Sequence, residues 1–177
     1  MEIDLNINEK FVELLKEKKL KAATAESLTG GLVSKRITEI SGASQVFECG
    51  VCSYSNRIKH EILGVPNEVL ETYTEYSMET AVEMAKGIRR LSGADIGIST
   101  TGMAGPAGDN VGLVYIGIST EKNTFAKELH LSEGLPDERE KIRFLASSYA
   151  LYYALEEIKN MCIKKESEDN FTLRFLI

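Results

Sequence analysis

A chain of 177 residues has the length of one ordinary domain, and 43% hydrophobic with 27% charged residues is the make-up of a packed globular fold, not of a disordered or collagen-like chain. Lys and Arg number 21 against 27 Asp and Glu, a formal charge of −6 with a pI of about 5.1, which excludes a whole-protein basic field for wrapping nucleic acid. No apolar run reaches the roughly 18 residues that span a bilayer, and Met1 to Lys10 is polar, so the expectation is a cytoplasmic protein without membrane contact.

In chain order, Phe11, Leu14 and Leu15 recur at helical spacing among Glu and Lys, predicting a helix over 8–19 with Asn8 as its cap. Leu20 to Ala25 reads as a short strand that meets Glu26, Ser27 and the Gly30–Gly31 pair, after which Leu32, Val33, Ile37 and Ile40 resume a helical rhythm. A strand over 46–54 leads into a helix over 55–63 closed by Gly64 and Pro66, then a short helix over 67–72. Met78, Ala81, Val82, Ala85 and Ile88 behind Ser77 predict an amphipathic helix over 77–92. Runs 94–100, 111–120 and 124–131 read as strands, the later ones antiparallel, with a glycine loop at 102–108 between the first two. Ile142, Leu145, Ala146, Tyr149 and Tyr153 line a closing helix over 137–160. The fold class expected is α/β, a three-layer α/β/α domain with a mixed parallel and antiparallel sheet.

Residues 1–160 are expected to form this single domain. Beyond it, 164–170 reads as a charged linker, and Phe171, Leu173, Phe175 and Ile177 alternate like an apolar strand. Such a strand is expected to add to a sheet edge of its own subunit or of a partner in a dimer.

Thr24-Ala25-Glu26-Ser27-Leu28-Thr29-Gly30-Gly31 lies where a strand ends and a helix begins, the place where α/β sheets collect ligands and helix N–H groups attract anions. A plain helix cap by Ser27 or Thr29 is the competing reading. Tyr54-Ser55-Asn56-Arg57-Ile58-Lys59 lies at the next strand end, and a lysine with a lowered pKa there can serve as base for Ser27, with Tyr54 bonding the serine or relaying a proton. The loop Gly102 to Gly108 offers unhindered backbone to a ligand, but it has neither the Walker lysine nor a GxGxxG pattern. Cys49 and Cys52 have CxxC spacing, yet residues three apart on a strand face opposite ways, and Cys162 is remote; with His60 and His130 isolated, no metal site is expected.

These residues resemble the CinA C-terminal domain family, whose members include nicotinamide mononucleotide amidases of the PncC type and proteins called competence/damage-inducible. The resemblance rests on TAESLTGG at 24–31, SGASQVFECGVCSYSNRIKHEILGV at 41–65, TTGMAGPAG at 100–108, VGLVYIGI at 111–118 and the Arg139-x-x-x-Arg143 spacing. It departs from the family pattern at Leu28, Cys49 and Leu113 and in a short loop before Val111. The resemblance implies an amidohydrolase that converts nicotinamide mononucleotide to the acid mononucleotide and ammonia in pyridine-nucleotide recycling. Ser27 would be the nucleophile, with Lys59 as base and Tyr54 as partner. It further implies substrate contacts from Ser44 and from Arg139 or Arg143, with main-chain donors at Thr29, Gly30 and Gly31 and at Gly102, Ala104 and Gly105. No cofactor and no metal are then required, and the partners expected are a small nucleotide substrate and a second copy of the chain. A non-catalytic nucleotide-binding or interaction domain and a serine amidase for another small amide are the competing functions.

Overall fold

The computed structural model describes residue 4, residues 6–135 and residues 138–174, with side chains through residue 161. Its elements are α1 (Ile7–Lys18), β1 (Ala22–Glu26), α2 (Leu32–Thr38), a 3-10 turn (Ala43–Gln45), β2 (Phe47–Cys52), α3 (Asn56–Leu63), α4 (Asn67–Tyr73), α5 (Met78–Ser92), β3 (Ile96–Gly102), β4 (Leu113–Ser119), β5 (Thr124–His130) and α6 (Arg139–Arg174). The sheet order is β2-β1-β3-β4-β5, with β1 parallel to both its neighbours and the β3–β4 and β4–β5 pairs antiparallel. The predicted mixed sheet and its antiparallel meander are therefore present.

Helix ends follow local chemistry. Ser55 and Ser77 accept hydrogen bonds from the Ile58 and Thr80 N–H groups and so start α3 and α5, and both helices close on left-handed glycines, Gly64 and Gly93. Asn8 is not the cap of α1: Asn6 holds that position, and the Asn8 amide donates instead to the Arg36 carbonyl at 3.1 Å, tying α1 to α2.

The end of the chain departs from expectation. The backbone stays helical from Arg139 to Arg174, so 164–170 is not an extended linker and 171–174 is not strand; 175–177 lie outside the described residues. The physical reason is that no Gly or Pro follows Pro136 and that Lys and Glu in 164–170 are good helix formers, so propagation along an existing helix outweighs a seven-residue alternation of apolar side chains.

α1, α2 and α6 cover one face of the sheet, and α3, α4 and α5 the other. Alternation along β1 sorts its side chains between these layers: Ala22 joins the core under α1, α2 and α6, while Ala23 and Ala25 pack with Leu63, Met84 and Ile88. The first core is the larger, built from Phe11, Leu15, Ile37, Ile116, Ile142 and Leu151 among others, all essentially solvent-free. On the opposite face α5 approaches so closely that a Cβ on Gly117 would stand 2.2 Å from the Ala81 carbonyl oxygen, which leaves glycine as the residue that fits. No helix among the described residues is long and apolar enough to cross a membrane.

Candidate active site

The carboxyl ends of β1, β2 and β3 meet at one edge of the sheet. Beyond Glu26 the ladder continues one step on each side of β1: the Ser27 N–H donates to the Thr100 carbonyl at 2.9 Å, and the Ser53 N–H donates to the Glu26 carbonyl at 2.8 Å. Ser27 is thus held as if it were still strand. Because consecutive strand residues face opposite ways, Glu26 falls on the α2 side and Ser27 on the α3 side.

On the α2 side, the Glu26 carboxylate is fully buried and saturated. It accepts from the Gly31, Val33 and Ser34 N–H groups at 2.8–3.0 Å, from the Thr29 hydroxyl at 2.7 Å and from the Ser34 hydroxyl at 2.6 Å. The start of α2 therefore already holds an anion, supplied by the chain itself. This corrects the expectation that Thr29, Gly30 and Gly31 receive a substrate phosphate. The Gly30 N–H donates to the Ser27 carbonyl, the Thr29 carbonyl accepts from Arg143 at 2.7 Å, and none of the three lines the cavity described next.

On the α3 side, a cavity of about 200 Å³ is lined by Ser27, Leu28, Tyr54, Lys59, Glu75, Tyr76, Arg139 and the Gly102–Ala107 loop. At its floor the Lys59 Nζ donates to Ser27 Oγ at 3.4 Å, with Lys59 only 1% exposed. Lys59 reaches this point because Ser55 starts α3 one turn earlier, which points residue 59 back at the sheet edge. Burial pushes its pKa below the ordinary lysine range, and the Glu75 carboxylate opposes that shift.

The walls come from three elements. Gly102, Ala104 and Gly105 line the cavity as expected, and Gly102 turns at φ +140°, where a Cβ would stand 2.3 Å from the Leu113 carbonyl oxygen. Arg139, in the first turn of α6, donates to the Gly105 carbonyl and, at 3.3 Å, to the Tyr54 hydroxyl. That contact relocates Tyr54: the ring is 67% exposed at the cavity wall, and its hydroxyl bonds Arg139, with no bond to Ser27. Arg143, one turn further along α6, points to the Thr29 carbonyl and packs on Gly30, away from the cavity. Of the two arginines, Arg139 is the one in the pocket.

Ser44 is not brought to the site. It lies in the 3-10 turn ahead of β2, and since β2 runs parallel to β1, its six residues at about 3.3 Å each put Ser44 roughly 20 Å from the carboxyl edge, in a separate shallow cleft beside Phe47. Cys52 does reach that edge, but burial and Glu26 raise the pKa of its thiol, the opposite of an activated nucleophile. Cys49 and Cys52 are free thiols, and among the described residues no group of three His, Cys, Asp or Glu side chains could hold a metal.

Sequence reasoning passed over Glu75 and Tyr76, which enter the cavity from the α4–α5 connection, and the buried Ser53, whose hydroxyl has no hydrogen-bond partner. Ser53 carries a signal in hindsight, since it follows β2 in step with Ser27 after β1. Glu75 and Tyr76 carry none, because only packing of α5 brings that connection beneath the sheet edge.

These observations define a class: three-layer α/β domains with a mixed five-stranded sheet and a serine–lysine pocket at the carboxyl ends of the parallel strands. Within it, the chain belongs to the CinA C-terminal domain family, whose model matches residues 4–158. A protein of Thermoanaerobacter sp. (strain X514) named for competence-damage inducibility is 49% identical over 149 residues, which are 82% of this chain and 35% of that protein. A CinA-like protein of Kosmotoga olearia is 44% identical over 150 residues, again 82% of this chain and 35% of the relative. This chain thus spans about a third of the length of the curated relatives it matches. Among solved structures, the competence/damage inducible protein CihA from Agrobacterium tumefaciens superposes with a TM-score of 0.79 at 32% identity, covering 88% of this chain and 99% of that one. A CinA superfamily protein from Klebsiella pneumoniae 700603 shares the fold with a TM-score of 0.82 at 24% identity, covering 88% and 97% of the two chains.

Proposed function

We propose that the domain is an amidohydrolase that converts nicotinamide mononucleotide to nicotinic acid mononucleotide and ammonia. The observation that carries this reading is the Lys59 amine, buried and 3.4 Å from Ser27 Oγ on the floor of an open polar cavity. A pocket that only bound a nucleotide has no use for a buried amine aimed at a hydroxyl, and desolvation is the means by which a lysine becomes neutral enough to act as a base.

The neutral Lys59 amine takes the Ser27 proton as Oγ attacks the carboxamide carbon. The oxyanion that forms is met by main-chain N–H groups of the cavity-lining residues Leu28, Ala104 and Gly105, a kind of contact often worth about 3 kcal/mol per donor. Lys59 then returns the proton to the departing nitrogen, the C–N bond breaks, and ammonia leaves behind an ester on Ser27. Water attacks that ester with Lys59 again accepting the proton, and the acid product and free Ser27 hydroxyl are released. Arg139 holds the phosphate, and the Tyr54 hydroxyl steadies Arg139.

The test is ammonia release by the full chain from nicotinamide mononucleotide, free nicotinamide and glutamine. Release from the mononucleotide at least tenfold faster than from nicotinamide is the expected outcome, since charge-assisted contacts to phosphate contribute about 1.5–3 kcal/mol. Binding of the mononucleotide without ammonia from any of the three would leave a nucleotide-binding module, and equal release from all would leave an amidase of other specificity.

A further inference from the structure

Among the described residues Glu75 is the one acidic side chain lining the cavity, and neither the fold nor the proposed base needs it. Its connection is held by backbone: the Glu75 carbonyl accepts from the Thr101 hydroxyl at 2.5 Å, and the Thr74 carbonyl accepts from the Thr80 hydroxyl at 2.7 Å. Among the described residues the Glu75 carboxylate has a single hydrogen bond, from the Asn56 amide at 3.2 Å, and no ion pair within 4.0 Å. Toward Lys59 it acts against the chemistry, because its negative charge stabilises the protonated amine.

Its neighbours show what such a group serves. The titratable and charged groups that face one another across the cavity are Tyr54, Lys59, Glu75, Tyr76 and Arg139. Tyr54 and Tyr76 are both exposed, 67% and 38%, and both line the cavity together with Glu75, whose charge acts on the Tyr76 hydroxyl. Aromatic faces with an adjacent carboxylate form a receptor for a flat cation: the ring quadrupoles attract it, and the carboxylate neutralises it. Arg139, which donates to the Tyr54 hydroxyl, adds a receptor for an anion to the same cavity.

We infer that Glu75, with the rings of Tyr54 and Tyr76, is the specificity determinant for a positively charged aromatic ring, so that the pocket takes pyridinium amides in preference to neutral ones. This rests on the amidase reading and deepens it by assigning the ring end of the substrate to a particular residue. It also gives a physical reason for turnover: hydrolysis replaces the neutral carboxamide by a carboxylate near Glu75, and the two like charges favour release of the product.

The experiment uses the full chain with Ser27→Ala, which retains the pocket but not the nucleophile, and two probes that differ in ring charge. These are nicotinamide mononucleotide and its 1,4-dihydro form, whose ring is neutral while amide, ribose and phosphate are kept. By calorimetry the cationic form is expected to bind about tenfold tighter. Glu75→Gln in the same background is expected to bring the two affinities within about twofold of each other by weakening only the cationic form, and Glu75→Lys to reverse the preference. A preference unchanged by Glu75→Gln, or one that Glu75→Lys fails to reverse, overturns the assignment. The amidase reading fails separately: wild type that releases no ammonia from the mononucleotide, while the ring-charge preference and its dependence on Glu75 persist, removes the reaction and keeps the binding determinant. Ammonia release by wild type with no effect of Glu75 on ring preference does the reverse.

Discussion

Glu26 and Ser27 are adjacent in the chain and stand at the same edge of the same sheet, yet their surroundings are built to opposite ends. On the Glu26 side every carboxylate oxygen is matched by donors from α2 and the turn before it, the side chain is fully buried, and the group serves the fold. On the Ser27 side the one side-chain bond to the hydroxyl among the described residues is a long contact from a buried amine, and a cavity opens beyond. The difference teaches where this fold keeps its spare polar capacity: saturation at Glu26 makes the turn rigid, and under-saturation at Ser27 leaves groups free for a ligand. Arg143 and Arg139 repeat the contrast one helical turn apart, the first anchoring the turn at Thr29 and the second facing the cavity.

This division predicts that variants on the two sides move different observables. The largest effect expected is on Ser27→Ala, which should lower ammonia release by about 10³-fold or more with little change in melting temperature. Residual activity near wild type would place the nucleophile elsewhere. Next, Glu26→Ala leaves three N–H groups and three hydroxyls without their buried acceptor, and at about 1–3 kcal/mol per unsatisfied group a loss of at least about 3 kcal/mol in chemical denaturation is expected. Unchanged stability there would erase the contrast drawn above.

The arginine pair sharpens the same line. Arg139→Ala is expected to raise KM for the mononucleotide about tenfold, whereas Arg143→Ala should leave KM nearly as it was and lower the melting temperature. A KM effect confined to Arg143 would exchange their roles.

Lys59 belongs to both accounts. Its pKa is lowered in the folded chain, so between that value and the unfolded one of about 10.4 the unfolded state binds more protons, and stability rises with pH across this window. At neutral pH the buried amine therefore weakens the fold. Lys59→Met should abolish turnover while melting above wild type near pH 7, with the gap closing as pH approaches 10. In the wild type, activity should fall as pH drops through the folded pKa of Lys59, and Glu75→Gln should move that acid limb to lower pH. A limb that stays in place would remove Lys59 from the role of base.

The smallest effect concerns Ser53. Its buried hydroxyl has no partner, so Ser53→Ala should be neutral or slightly stabilising by equilibrium denaturation.

Much of this was legible before any tertiary structure. The helix over Met78–Ser92, the strand-to-turn passage at Ala22–Gly31 and the meander of β3, β4 and β5 follow from apolar periodicity, serine caps and glycines, because these features act within a few residues. Ser27 and Lys59 were legible as a pair from local pattern, Ser27 just past a strand end and Lys59 one turn into the helix that follows the next strand. The misreadings are equally physical. Alternation in Phe171–Ile177 suggested strand, but a growing helix with no Gly or Pro to stop it carries the backbone on through Arg174. Ser44 shared a motif with β2, yet a parallel strand carries its two ends to opposite edges of the sheet. The start of α2 looked open to a phosphate, because sequence shows donors and not which acceptor has already taken them. Local propensity and pairwise spacing thus determined most of the elements and the candidate pair Ser27 and Lys59. Only the folded structure decided that Glu26 fills the helix end, because the fold of the turn at 27–31 chooses the acceptor for donors that are already local; and only the tertiary structure decided that Tyr54 turns to Arg139 and that Glu75 enters the pocket, because α6 and the α4–α5 connection bring these groups from distant parts of the chain.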